Sequence, residues 1–431
     1  MTKPMLFEND VQFWFETQRA LGHTTYGGAD TGEVLATAAR ITPGDYNSWY
    51  DEWFATAQTI EAEARQSLAR GHRITARDGL LRASNYFRCA EFFLHGDPTD
   101  PRIGISYERA VGAFRDALPF LPYSVEPVEI PYEGTTLSGY FYRGAGADAP
   151  TVVMHNGFDG SVEEMHFFGA AAAVERGFNV LSFDGPGQPS SRHRDGLVFR
   201  PDWENVVTPV IDWLLATHGA DTDPEQIALL GISMGGILAP RAAAFEHRLA
   251  AVIAIDGVYD LGAAATEPLP MPREQAEHII RLPEAPELDA ALDELTKTNP
   301  TLRWAFTHGM YAMGVDSPRA FLASYLDYSL ADCVAEQIEC PVLVADAEED
   351  LFFQGQPEEL FDHITAPKAL LRFTTAEGAG AHCHSGAQRL AFGRVYDWLE
   401  EALAARTSSA SSSGEKNLPD SSTAWTAAVT A

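Results

Sequence analysis

Gly231-Ile232-Ser233-Met234-Gly235 follows the apolar run Ile227-Ala228-Leu229-Leu230 and leads into a helix-like segment from about Gly236. A serine on a sharp strand-to-helix turn stands clear of the sheet and can attack a carbonyl carbon. The flanking glycines suit such a turn because it leaves little room for a Cβ. The bland alternative is a glycine-rich turn with an idle serine, and the strand before and helix after it favour the nucleophile. A hydroxyl attacks only when an imidazole takes its proton, and the imidazole needs a carboxylate to orient it.

Both partners are expected further along the chain, with the acid before the histidine. The run Cys340-Pro341-Val342-Leu343-Val344-Ala345-Asp346 reads as a late strand, and the loop after it carries Asp350, the preferred acid. Asp346 and Glu349 compete with it, since a carboxylate at a strand end can also cap the next turn. After the last strand-like run, Glu377-Gly378-Ala379-Gly380-Ala381-His382-Cys383-His384 offers His382 as the base. The glycines let this loop approach the nucleophile, while His384 reads as a surface or helix-capping residue. The oxyanion formed by attack needs waiting backbone N–H groups. Met234 supplies one, and Phe158 in His155-Asn156-Gly157-Phe158-Asp159-Gly160 the other, with Gly157 as runner-up.

Other motifs point to blander roles. Asp184-Gly185-Pro186-Gly187 lacks the spacing of a phosphate-binding loop and reads as a tight turn at the sheet edge. His382-Cys383-His384 has neither HExxH nor paired CxxC company, so no metal and no cofactor are expected, and Cys383 reads as a packed thiol.

The elements that must position these residues fall into three stretches. Residues 1–122 read as an all-helical domain that covers a pocket or pairs subunits, with a homodimer as one possibility. Its aromatics, Trp53 and Tyr86 among them, are explained as well by helix packing as by ligand contact. From about 123 to 404, strand-like runs alternate with helix-length segments, which predicts an α/β catalytic domain: a mostly parallel sheet with helices on both faces. A helical insertion is expected at about 265–330. Residues 405–431 are serine-rich and read as a disordered tail.

With 61 acidic against 30 basic residues, the net charge of −31 disfavours nucleic acid and anionic membranes as partners and leaves a small-molecule substrate. No apolar run is long enough to span a bilayer, and the opening residues do not read as a signal peptide. Cysteines at 89, 333, 340 and 383 form no disulfide-like pattern. A cytoplasmic location is the resulting expectation.

The stretch Leu80–Arg102 (LLRASNYFRCAEFFLHGDPTDPR), the loop HNGFDGSVEE, DGPGQ, GISMGG and EGAGAHC together make the chain resemble one group of α/β-hydrolases. That group includes 2,6-dihydroxypseudooxynicotine hydrolase and fungal hydrolases of pigment, fusarin-type and cytochalasan-type polyketide pathways. The likeness covers most of residues 10–400. It implies the α/β-hydrolase fold, Ser233, Asp350 and His382 as a catalytic triad, and helical elements over the pocket. It departs at Pro189-Ser190-Ser191, where a glycine is expected next, and in the long 265–330 segment. The implied reaction is hydrolysis of a C–C or ester bond in a polyketide-derived or aromatic small molecule. The same residues would also serve a carboxylesterase, a lactonase or an acyltransferase. An exopeptidase or a non-catalytic binding protein fits less well.

Overall fold

The computed structural model describes residues 4–146, 149–267, 269 and 271–412. The N-terminal region is helical as expected: α1 (Val11–Gly22), α2 (Thr31–Ala38), α3 (Tyr46–Ala69), α4 (Arg73–Glu91) and α5 (Pro101–Ala117). Four of these five helix starts, all but that of α4, are capped by aspartate carboxylates. Asp10 Oδ1 accepts from the Phe13 N–H at 3.0 Å, and Asp100 accepts from the Arg102 N–H at 2.9 Å with Pro101 in the first turn. The chain-breaking string before α5 is therefore also its cap. Trp49, Trp53, Phe13 and Phe87 are fully buried between these helices, and the Trp49 indole N–H donates to the Cys89 carbonyl at 2.7 Å. Trp53 and Tyr86 are thus packing residues, the Tyr86 hydroxyl donating to Glu33.

Eight strands follow: β1 (Val125–Tyr132), β2 (Thr135–Tyr142), β3 (Ala149–His155), β4 (Asn179–Phe183), β5 (Thr222–Ile232), β6 (Ala251–Ile255), β7 (Val342–Ala347) and β8 (Lys368–Phe373). They form one sheet in the order β1-β2-β4-β3-β5-β6-β7-β8. The β1–β2 and β2–β4 pairs are antiparallel and all others parallel. Both faces are covered, by α6 (Ala170–Glu175), α7 (Pro189–Asp195), α8 (Glu204–His218), α9 (Gly235–Ala243), α15 (Gln356–His363) and α16 (Gln388–Ser412) among others, with α10–α14 defined below. The central strands β4 and β6 are accordingly buried at every residue instead of alternating between buried and exposed.

Three expectations need correction. The Asp184 loop does not sit at the sheet edge, because the β1–β2 hairpin extends the sheet beyond β4 and makes β4 an interior strand. The closing helix α16 runs to Ser412, past the expected boundary at 404; the rest of the expected tail, from 413, lies outside the described residues. His384 is no surface residue: it is 1% exposed, with its ring against Phe373 at 3.9 Å between centroids. The expected insertion is helical, with α10 (Leu261–Thr266), α11 (Arg273–Ile280), α12 (Pro286–Thr298), α13 (Pro300–Met313) and α14 (Pro318–Tyr325) between β6 and β7.

Candidate active site

The carboxyl ends of β3, β5, β6, β7 and β8 lie along one edge of the sheet, and the loops leaving them meet there. Ser233 follows β5 with φ +60°, a left-handed conformation uncommon for a residue with a side chain. Its N–H bonds the Ile255 carbonyl at 3.1 Å and its carbonyl accepts from Gly236 at 2.6 Å, which closes the turn. A Cβ on Gly231 would fall 2.0 Å from the Gly235 carbonyl, and one on Gly236 would fall 2.5 Å from that of Asp256. Gly235 has more room, so the sterically demanding glycines are Gly231 and Gly236.

His382 lies beside this serine, its Nε2 2.9 Å from Ser233 Oγ. Its Nδ1 is 2.7 Å from Asp350 Oδ2, while Asp350 Oδ1 accepts the N–H groups of Phe352 and Phe353 at 2.6 and 3.0 Å. Asp346 instead faces Arg372 at 3.9 Å, and Glu349 bonds the Gly380 carbonyl through its backbone at 2.8 Å. A second carboxylate reaches the same ring nitrogen: Asp256, directly after β6, places Oδ2 2.9 Å from His382 Nδ1. Asp256 is fully buried, has φ +53°, accepts the Cys383 N–H and stands 3.8 Å from His384 Nε2. Asp256 lies in none of the sequence motifs.

Burial opposes charge on the His382 ring, but its neighbours, Asp350 foremost and Asp256 among the others, outweigh it and hold the ring well above the usual histidine range. Burial raises Asp350, and neighbouring Asp256 adds to that rise. Asp256 is held low, since His382, His384 and the Cys383 N–H outweigh its burial. A base must be neutral to accept a proton, so activity should rise with pH through the His382 pKa. The acid limb of kcat/KM, measured on an activated ester, is expected above about pH 6.5. A limb below that value would contradict the charge arrangement.

The loop after β3 abuts the serine turn. A Cβ on Gly157 would lie 2.7 Å from Met234 N and 2.9 Å from Ser233 Cβ, so only glycine permits this approach. The Gly157 N–H donates to Asn156 Oδ1 at 2.7 Å, whereas among the described residues the Phe158 and Met234 N–H groups have no backbone acceptor. Buried Gln188 of the DGPGQ motif braces this loop. Its Nε2 donates to the Asn156 and Gly157 carbonyls, and its Oε1 accepts from Gly185 at 2.6 Å. The motif thus holds protein backbone in place, a role the sequence reading missed. On the other side, His308 Nε2 lies 2.9 Å from the Phe158 carbonyl, and burial pushes His308 down to about 4, so its ring is neutral.

A cavity of about 300 Å³ opens above Ser233. Phe15 and Arg19 of α1, Leu292, Trp304 and Phe321 of the insertion, and Phe352 line it, so the N-terminal helices and the insertion both cover the site. Potential ligand atoms of Asp256, His382 and Cys383 lie within 4.8 Å of one another. His382 Nδ1 already faces both carboxylates, and burial pushes the Cys383 thiol up to about 12, a protonated state poorly suited to a metal.

Residues 152–392 match the model of the Alpha/beta hydrolase family. Hydrolase LUC6 of a Fusarium species is 38% identical over 410 residues, covering 91% of this chain and 97% of its own. The 20-hydroxy-prefusarin hydrolase FUS2 of Gibberella moniliformis is 34% identical, covering 93% and 98%. Among solved structures, 2,6-dihydroxy-pseudo-oxynicotine hydrolase superposes with a TM-score of 0.68 over 93% of this chain and 98% of its own, at 23% identity, a likeness of fold. Full-length relatives at this level of identity, a family match over the sheet and the arrangement at the ends of its strands lead to one conclusion: the chain belongs to the α/β-hydrolase family and is a hydrolase.

Proposed function

We propose that this hydrolase works through an acyl-enzyme on Ser233, cleaving a C–C bond beside a carbonyl, or an ester, in a polyketide-derived or aromatic small molecule. The observation that carries the reading is the line from Asp350 through His382 to Ser233 at 2.7 and 2.9 Å, at the floor of a largely apolar cavity. His382 takes the Ser233 proton as Oγ attacks the carbonyl carbon, and Asp350 stabilises the imidazolium that forms. The N–H groups of Phe158 and Met234 hold the oxyanion; Gly157 is set aside because its N–H is already donated. His382 then protonates the leaving group, a carbon stabilised by a neighbouring carbonyl or electron-rich ring, or an alkoxide oxygen. Water attacks the acyl-serine with the same base and oxyanion donors.

The relatives named as hydrolases, including one named for 20-hydroxy-prefusarin, support a small-molecule substrate. So does the cavity, which is walled by helices from two directions. Among the described residues no helix is long and apolar enough to cross a membrane. The test is intact-mass measurement after fluorophosphonate treatment. One adduct is expected on the native protein and none on Ser233→Ala, with β-diketones and esters then compared as substrates. An adduct that persists on Ser233→Ala, or none on the native protein, would refute the assignment of the nucleophile.

A further inference from the structure

Besides Ser233 and His382, the cavity is lined by an ion pair from two separate parts of the chain, Asp159 after β3 and Arg19 of α1. Asp159 directly follows Phe158 and lines the cavity with 15% of its side chain exposed. Arg19 Nη1 donates to Asp159 Oδ1 at 2.9 Å. The remainder of that guanidinium is fixed by Glu164, through Nε at 2.8 Å and Nη2 at 2.6 Å, and Arg88 stands 3.9 Å from Asp159 Oδ1. Burial works against the Asp159 charge, but Arg19 and Arg88 outweigh it and keep the carboxylate ionised. Asp159 Oδ2 accepts no hydrogen bond among the described residues. From the insertion, Trp304 lines the same cavity with its ring, 4% exposed, its Nε1–H being closed off from the cavity surface. Its ring stacks on Phe92 at 5.4 Å and meets Phe158 edge-on at 6.0 Å, and the Arg19 guanidinium lies over the same Phe92 ring, 5.7 Å from its centroid.

We infer that Asp159 is a recognition point for an uncharged substrate whose N–H or O–H donor lies within a few bonds of the attacked carbonyl. This rests on reading the cavity as the substrate site. Asp159 Oδ2 accepts the donor, its other oxygen being held by Arg19. Placement next to Phe158 in the chain sets the short distance to the oxyanion donors. Charge narrows the class further. A free carboxylate meets Asp159, and a cation meets Arg19 and Arg88, so a neutral donor such as a secondary amide or hydroxyl fits both.

The test measures binding to Ser233→Ala protein, which separates recognition from catalysis. Two probe pairs are titrated calorimetrically: N-octanoylglycine methyl ester against its ketomethylene analogue, in which CH₂ replaces N–H, and methyl 3-hydroxydecanoate against methyl decanoate. In at least one pair the donor-bearing member should bind about tenfold more tightly. Adding Asp159→Asn should abolish that preference. Arg19 keeps the amide oxygen, so the NH₂ replaces Oδ2 and a donor then faces a donor. Equal affinities within both pairs, or a preference that survives Asp159→Asn, would overturn the inference. The probe comparison needs no substitution at the subsite, so it stands even if the Asp159 variant folds poorly. Absence of a fluorophosphonate adduct would count against the catalytic reading and leave this ratio untouched.

Discussion

Ser233→Ala and His382→Ala will each lower kcat/KM by about 10,000-fold or more, and the double variant will be no slower than the worse single one. In the proposed mechanism the two side chains act as one device. Without the imidazole the hydroxyl keeps its proton, and without the hydroxyl the imidazole has nothing to activate. Residual turnover in every variant should come from the Phe158 and Met234 N–H groups and from binding in the cavity, which neither change removes. Alanine at 233 must hold the same left-handed backbone as serine, so the fold itself is little affected. Melting temperature should therefore separate catalytic loss from unfolding. Steady-state kinetics on an activated ester, with the active sites titrated, provides the measurement. Independent losses that multiply in the double variant, or a single loss below about 100-fold, would show that Ser233 and His382 do not work as a pair.

Local chemistry was legible in the sequence where it is contiguous. The serine turn needs only a strand, two crowded glycines and a helix, all within residues 227–243, and the glycine-flanked His382 loop follows the last strand in the same local way. The alternation of runs was enough for a parallel sheet, because strands covered on both faces must be apolar along their length. What the sequence hid depends on which strands become neighbours. Asp256 meets His382 because β6 lies between β5 and β7, a relation no spacing encodes. Its one local signal, a carboxylate closing the run Ala251–Ile255, is also shown by Asp184 after β4. Gln188 was illegible for another reason: its partners are backbone carbonyls 31 and 32 residues away, which carry no side-chain signature. Among the N-terminal residues the sequence offered Trp53 and Tyr86, whereas Phe15 and Arg19 reach the cavity. Helical periodicity identifies the buried side of a helix without saying whether a core or a ligand lies against it.

The two carboxylates on one ring nitrogen lead to the second prediction of large effect. Where an aspartate is the sole acceptor of a catalytic histidine's Nδ1–H, changing it to asparagine costs about 10,000-fold, because the ring settles into the wrong tautomer. Here Asp350 and Asp256 stand 2.7 and 2.9 Å from His382 Nδ1. In either single asparagine variant the other carboxylate still accepts that proton and fixes the tautomer. Each of Asp350→Asn and Asp256→Asn is therefore expected to lose only about 10- to 100-fold in kcat/KM, and the double variant about 10,000-fold. The pH profile supplies an independent sign. Both carboxylates raise the His382 pKa, Asp350 more than Asp256, so removing either lets the ring lose its proton at lower pH. The acid limb should shift downward in both single variants, and further for Asp350→Asn. Asp256 also accepts the Cys383 N–H, so Asp256→Asn needs a melting curve to separate a displaced loop from a lost charge. A full 10,000-fold loss in Asp350→Asn alone, with Asp256 in place, would mean that Asp256 anchors the histidine loop and leaves the ring to its neighbour.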